Sequence, residues 1–373
     1  MRRPVVRVIA GVGAAILVTI AAAGAAVLTF PELQRPLVER LIARVMTQDR
    51  TALLQDDALR VAVCGSGSPL PDDAAAEPCF AVFAGGRMIL VDAGGGSWSR
   101  VAQWPTPAGA LSDVLLTHFH SDHIADLPVA NMQSWVDGRR APLRVWGGPG
   151  VEQVVAGFNQ AFAPDSSYRA AHHGAALLPG ALAVMEPRVV ATSGQTPLTG
   201  DDTAVLWDDG ALRVAAFAVE HPPVTPAYGY RIDYRGRSVV FSGDTRATGS
   251  VAANARGADV LIHEAIDKEV VQAMAEAADR AGRDRLAKVL RDIQDYHAAP
   301  GDAVAAGRAA GVKLLLINHF VPPVPPWLGD RFRLRGLQTH AGRNGPDIRV
   351  AHDGMLVELP LDSDAVVVRR ISR

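Results

Sequence analysis

The sequence predicts an α/β protein: two β-sheets packed back to back with helices outside, an αββα four-layer sandwich, preceded by an N-terminal transmembrane helix. Three observations carry this. Apolar runs of strand length alternate with segments of helical period from about Ala58 onward. Several of those runs hand over to His or Asp at their ends, at His118, His221, Asp244, His263 and His319, so one edge of the sheets collects polar side chains. An uncharged apolar run, Val8 to Phe30, follows Arg2, Arg3 and Arg7 and is long enough to cross a bilayer as a helix.

The bounds agree with one large domain. The chain has 373 residues, is 49% hydrophobic and 20% charged, and carries a formal net charge of −2, which gives no global argument for a nucleic-acid partner. The basic residues before the apolar run place the N-terminus in the cytoplasm and the rest of the chain outside it, periplasmic or extracellular. If Ala21-Ala22-Ala23 is a cleavage site, the domain is secreted instead. The expected division is 1–31 anchor or signal peptide, 32–57 juxtamembrane helix or linker, and 58–373 catalytic domain. Cys64 and Cys79 flank a turn-rich segment; a disulfide between neighbouring strands and two buried thiols are both open.

Taken in order, Pro31 ends the apolar run, and Leu37, Leu41, Ile42 and Val45 follow at helical spacing. Leu59 to Val63 is a strand. Phe80 to Phe83 and Met88 to Val91 form a hairpin around Gly85-Gly86, and Asp92-Ala-Gly-Gly-Gly96 is a flexible loop. The run Asp113 to Thr117 is a buried strand. Ile124 to Trp135 is helical, Leu143 to Trp146 a strand, Val151 to Phe162 a helix, and Ala163 to about Leu182 an aperiodic surface insertion whose His172 and His173 are solvated. Strands resume at Ala183 to Val184, Val189 to Ala191, Ala204 to Trp207, Leu212 to Ala218, Ala227 to Ile232, Ser238 to Phe241 and Val260 to Ile262. A helical region covers about Lys268 to Asp295, Pro300 opens another helix, and strands at Val312 to Ile317, Ile348 to Ala351 and Met355 to Leu359 complete the chain.

The chemistry concentrates in Thr117-His118-Phe119-His120-Ser121-Asp122-His123. Three imidazoles and a carboxylate within six residues cannot converge from a regular helix or strand, but they can from a loop at a strand end, as ligands of one metal or of two adjacent metals. Nitrogen and carboxylate donors without thiolate suit Zn²⁺ and also accommodate Mn²⁺ or Fe²⁺. Trp135, Phe320 and Trp327 suit either the wall of a substrate cleft or, at least as readily, ordinary core packing, and His340 and His352 read as surface or late-strand residues.

His118-Phe-His120-Ser-Asp122-His123 resembles the H-x-H-x-D-H motif of the metallo-β-lactamase fold, and His221, Asp244 and His319 match its remaining ligands in order. The flavour is similar to the ribonuclease Z-like branch, which includes arylsulfatase-like enzymes; Gly65-Ser-Gly67, Ser242-Gly-Asp244-Thr245, His263-Glu264-Ala265 and His297 support it. The resemblance implies that His118, His120 and His221 hold one divalent ion, that Asp122, His123 and His319 hold a second, and that Asp244 bridges them. Asp122, Glu264 and His297 are then the residues closest to the chemistry, with His297 as general acid oriented by Glu264 and His263 in a supporting position. Two close divalent ions activate a shared water and stabilise charge on the attacked centre. The family commonly has Ser or Thr after the general-acid His; here Ala298-Ala299 follow.

For the substrate, the expectation is a small ester: a phosphodiester, sulfate ester, carboxylic ester or lactone. A 3′-tRNA endonuclease and a non-catalytic membrane-anchored binding module are the alternatives. Between Val151 and Val219, where the ribonucleases carry their RNA-gripping arm, only Arg169, Arg188 and Arg213 are basic, whereas phosphate-backbone binding needs clustered Lys and Arg. The export reading also separates the domain from cytoplasmic RNA, and Ile124-Ala-Asp126-Leu127 replaces the ribonucleases' usual Gly-Leu pair. Nucleic acid is therefore not the expected partner; the membrane, through the N-terminal helix, is, and a homodimer is left open.

Overall fold

The computed structural model describes residues 25–324, 327–337 and 345–371. Contacts divide the chain into two units, 1–50 and 51–373. In the first, helix α1 (Pro31–Met46) starts with Pro in its first turn and buries none of its residues. The apolar run Val8 to Phe30 lies, but for Ala25 to Phe30, outside the described residues. Among the described residues, no helix is long and apolar enough to cross a membrane, so the N-terminal transmembrane helix has no support here.

The second unit is built on two sheets. The first holds β1 (Ala58–Gly65), β2 (Cys79–Ala84), β3 (Arg87–Val91), β4 (Leu111–Leu115), β5 (Leu143–Gly147) and β6 (Met185–Val189) in that order, with β14 (Met355–Pro360) and β15 (Val367–Arg370) outside β1. The second runs β13 (Asp347–Val350), β12 (Leu314–Val321), β11 (Val260–Ile266), β10 (Arg237–Phe241), β9 (Val224–Tyr234), β8 (Leu212–His221) and β7 (Thr203–Asp208). Strands β3 to β6 pair in parallel, as do β10 to β13, so their carboxyl ends lie on common edges.

The core between the sheets follows from strand alternation. Val61, Val63, Val82, Ile89 and Val357 of the first sheet meet Val214, Tyr230, Ile232, Val239, Ile262, Leu314 and Leu316 of the second. The other faces are covered by helices. Trp98 and Val101 of α2 (Ser97–Val101), Leu127 and Ala130 of α4 (Leu127–Val136), and Val151 and Val155 of α5 (Val151–His173) pack on the first sheet, and the short α3 (Ser121–Ile124) precedes α4. On the second sheet lie Val251 of α6 (Gly249–Asn254) and Ala303 and Val304 of α9 (Pro300–Ala310). Helix α10 (Gly329–Arg333) follows β12.

Some elements depart from expectation. The supposed insertion after Ala163 continues α5 to His173, with Pro164 inside the helix. The hydroxyls of Ser166 and Ser167 donate to the carbonyls of Ala163 and Pro164 within it. The single helical region 268–295 is two helices, α7 (Lys268–Arg280) and α8 (Asp284–Asp292). Gly282 takes a left-handed φ of 67°, and Arg283 N–H donates back to the Ala278 carbonyl, a turn that closes one helix before the next. Strand β6 is Met185–Val189, between the two short runs expected, and β15 was not expected. Cys64 and Cys79 are disulfide-bonded across β1 and β2, with Cα atoms 5.0 Å apart.

Candidate metal centre

The ligand candidates arrive from both sheets at one edge. The loop after β4 carries His118 and His120, and α3 carries Asp122 and His123. His221 is the last residue of β8, Asp244 follows β10, and His319 lies near the end of β12. The loop is tied to the second sheet: Tyr228 N–H donates to the Thr117 carbonyl at 2.9 Å, and the Tyr230 hydroxyl donates to the Leu116 carbonyl at 2.7 Å. His319 has a φ of 50°, a left-handed backbone that L-residues adopt at a cost, as is common where a site over-determines its geometry.

All seven expected donors meet. His118 Nε2 lies 2.9 Å from His120 Nδ1, which is 3.4 Å from His221 Nε2. Asp122 Oδ2 is 3.5 Å from His123 Nε2 and 3.3 Å from His319 Nε2. Asp244 Oδ2 sits between the two groups, 3.4 Å from His123, 3.5 Å from His319, 3.9 Å from His118 and 4.0 Å from His221. Tetrahedral bonds of about 2.0–2.2 Å place neighbouring donors roughly 3.3–3.6 Å apart; three of the four spacings within the groups match this, and His118 and His120 at 2.9 Å stand closer than a bound ion would hold them. Among the described residues, His118, His120 and His221 form one cluster able to hold an ion, and Asp122, His123 and His319 another. His123 Nε2 is buried with no hydrogen-bond partner although two carboxylates surround it, which a cation would resolve. His120 is exposed and the other six are buried, leaving one open side.

Electrostatics sort the donors. Burial holds His118 well below its ordinary value, and lowers His120 and His221, so these imidazoles present lone pairs at neutral pH. Burial also acts to lower His123 and His319, but the carboxylates around them win: His123 is held well above its ordinary value by Asp244 and Asp92, and His319 is raised to about 9 by Asp244 and Asp122. Burial would raise Asp244, yet cationic His319 and His123 keep it well below the usual carboxylate range.

A supporting shell escaped sequence reading. Asp92, with φ 58°, accepts from Thr117 N–H at 2.8 Å and lies 2.8 Å from His123 Nδ1, fixing which ring nitrogen faces the centre. The Tyr296 carbonyl does the same for His221 Nδ1 at 3.1 Å. A Cβ on Gly94 would fall 2.1 Å from the Asp122 carbonyl oxygen, so this position of the loop has room for glycine alone. The only sequence signal for Asp92 was its place between a strand and a glycine run.

His297 Nδ1 lies 3.0 Å from Glu264 Oε1, which also accepts from Thr245 and Ala298 N–H at 3.1 Å each. The His297 ring stacks on His319, centroids 5.4 Å apart. His263 belongs to none of the donor clusters; its Nδ1 is 2.7 Å from the Glu264 carbonyl. Trp135 is not a cleft residue: it is core, packed with Met132, Leu178 and Ala183. Phe320 lines a cavity and Trp327 is 81% exposed. His352 pairs with Asp330 at 2.9 Å, and His340 lies outside the described residues.

A family profile described as Beta-lactamase superfamily domain matches residues 87–320. The chain belongs to the metallo-β-lactamase superfamily. Within this superfamily it falls in the ribonuclease Z-like branch. It is 36% identical over 304 residues to a Ribonuclease Z of Mycobacterium bovis (strain BCG / Pasteur 1173P2), covering 81% of this chain and 98% of the relative. It is 34% identical over 288 residues to a Ribonuclease Z of Mycobacterium avium (strain 104), covering 76% and 94%. The fold is shared with human tRNase Z, short form (TM-score 0.55, 20% identity, 81% of this chain and 99% of that one). It is shared equally with the metallo-β-lactamase fold protein YhfI from Bacillus subtilis (0.55, 20%, 81% and 100%). The chain is a metal-dependent hydrolase of this superfamily.

These relatives correct four expectations. The small-ester substrate is overturned, because proteins alike over nearly their whole length are ribonucleases. The exclusion of nucleic acid falls with it. Its physical basis was too narrow: a count of Lys and Arg over residues 151–219 ignores cations that distant segments bring together in the fold. The membrane partner and the anchored domain outside the cytoplasm are overturned as well: among the described residues no helix is long and apolar enough to cross a membrane, and the relatives matched over nearly their whole length are ribonucleases Z.

Proposed function

We propose that this chain is a ribonuclease Z-type endonuclease that cuts precursor transfer RNA at its 3′ side, using two divalent ions, most simply Zn²⁺. The observation that carries the reading is the identity to ribonuclease Z over 98% of that relative's length. The donor geometry supports it.

Residues 58–373 form the catalytic domain of this proposal. His118, His120 and His221 hold one ion, Asp122, His123 and His319 the other, and Asp244 lies between them. When bound, such a pair supplies Lewis acidity at a phosphoryl oxygen and an activated water at neutral pH. The remaining work belongs to the chain. Asp92 and the Tyr296 carbonyl fix the rings of His123 and His221, so their donor atoms need little reorganisation. Glu264 accepts the Nδ1 proton of His297, which leaves Nε2 to give a proton to the departing ribose oxygen. Two fixed N–H donors hold Glu264 in place for this task.

The test is cleavage of a transfer RNA transcript carrying a 3′ trailer, with Zn²⁺, Mn²⁺ or EDTA. A single metal-dependent cut at the trailer junction is expected. No cut with any metal, for a folded and metal-loaded protein, rules the reading out.

A further inference from the structure

A cavity of about 530 Å³ opens between the loop after β1, at Ser66 to Ala75, and the segment after β12, at Phe320 to Arg333. Its size is that of a small-molecule site. One wall begins at Phe320, the residue after the metal-ligand candidate His319. Aliphatic side chains of Val324, Val350, Met355 and Val368 line part of it.

The cavity's charges are unevenly satisfied. Asp353 already accepts from the backbone and hydroxyl of Ser66, from Ala76 N–H, and pairs with Arg100 at 2.9 Å. Asp330 pairs with His352, Asp72 accepts from Ala74 N–H, and Arg369 pairs with Glu358. Two guanidinium groups remain. Among the described residues, Arg370 donates to one carbonyl, that of Asp353, at 3.3 Å. Arg333 lies over the Phe320 ring, 5.6 Å from its centroid, and its Nε is buried with no hydrogen-bond partner among the described residues. A buried donor on a fixed cation is costly to leave unmade, so a site with this arrangement is suited to an anion. A guanidinium is a planar fork of donors whose geometry matches phosphate oxygens.

We propose that this cavity is a nucleotide subsite. It takes one unpaired nucleotide of the RNA, with its phosphate on Arg333 and Arg370 and its base and sugar against Val324, Met355 and Val368. The proposal deepens the ribonuclease reading and rests on it for the word RNA; the cavity's preference for a nucleoside monophosphate does not. Arg333 acts here as a positioning residue.

The probe is adenosine 5′-monophosphate, titrated calorimetrically into the full chain stripped with EDTA, beside adenosine and inorganic phosphate. The monophosphate is expected to bind at least tenfold more tightly than either fragment. Arg333→Ala should weaken it by at least about tenfold, the loss expected for a charge-assisted contact. Arg333→Lys should recover part of that, and Val368→Trp, which fills the cavity without touching a charge, should also weaken it. With a trailer-bearing transcript, Arg333→Ala should raise KM and leave kcat within about threefold. Equal monophosphate affinity in wild type and Arg333→Ala, at matched melting temperature, overturns the subsite; so does phosphate alone binding as tightly as the monophosphate. If Arg333 governs monophosphate binding but no transcript is cut, the subsite stands and the ribonuclease reading falls.

Discussion

Replacing Asp92 with Asn probes the shell around the centre without touching a metal ligand. Asn is among the residues that tolerate a left-handed backbone, so the φ of 58° is kept and the loop after β3 is not strained anew. Its amide oxygen can still accept from Thr117 N–H, now 2.8 Å from Asp92 Oδ1. What disappears is the carboxylate 2.8 Å from His123 Nδ1. That contact is charge-assisted and buried, and such contacts contribute about 1.5–3 kcal/mol. Carried to the metal through His123, this is about a 10–100-fold loss of affinity, the range found when a partner behind a ligand is removed. The assay is competition for Zn²⁺ against a chromophoric chelator, with cleavage rates measured at limiting and saturating metal. Affinity should fall by at least tenfold, and most activity should return at saturating metal. An affinity within about twofold of wild type would show that Asp92 does not position His123.

Three further predictions concern the centre and its surroundings. His319 is raised to about 9, so at pH 7 it carries a proton that a metal must displace; metal affinity should climb about tenfold per pH unit for that proton from pH 7 and level off above 9. A pH-independent affinity over that range, measured by the same chelator competition, contradicts the assignment. His297→Ala should leave metal content unchanged and lower kcat by about 10²–10⁴-fold; equal kcat in single-turnover experiments removes His297 from proton transfer. Gly94→Ala forces a methyl to within 2.1 Å of the Asp122 carbonyl oxygen, and should cost about 1–3 kcal/mol in thermal or urea unfolding as well as weakening metal binding. An unchanged melting temperature and unchanged affinity would mean the loop has slack that this geometry does not show.

The seven donors could be found in the sequence because each follows or ends an apolar strand, and parallel strands carry their ends to a common edge. Asp92 could not. Its role depends on β3 pairing in parallel with β4, Val91 opposite Leu115, which sets the carboxylate beside Thr117 and His123. The Tyr296 carbonyl is invisible to any reading of side chains, since every residue has one. Trp135 stayed open between cleft and core because an aromatic after the metal motif has the same signature in both, and the fold puts it in the core. The substrate was misread for a related reason. Basic residues were counted along one stretch, whereas Arg333 and Arg370, far apart in sequence, meet at one cavity.

The account rests on a two-ion centre, and metal content tests that most directly. The purified full chain, loaded with Zn²⁺ and freed of excess, should carry two ions by elemental mass spectrometry, and Asp244→Ala, which removes the oxygen standing between both donor groups, should carry no more than one. Fewer than one ion in the folded wild-type protein, or two in the variant, would contradict it.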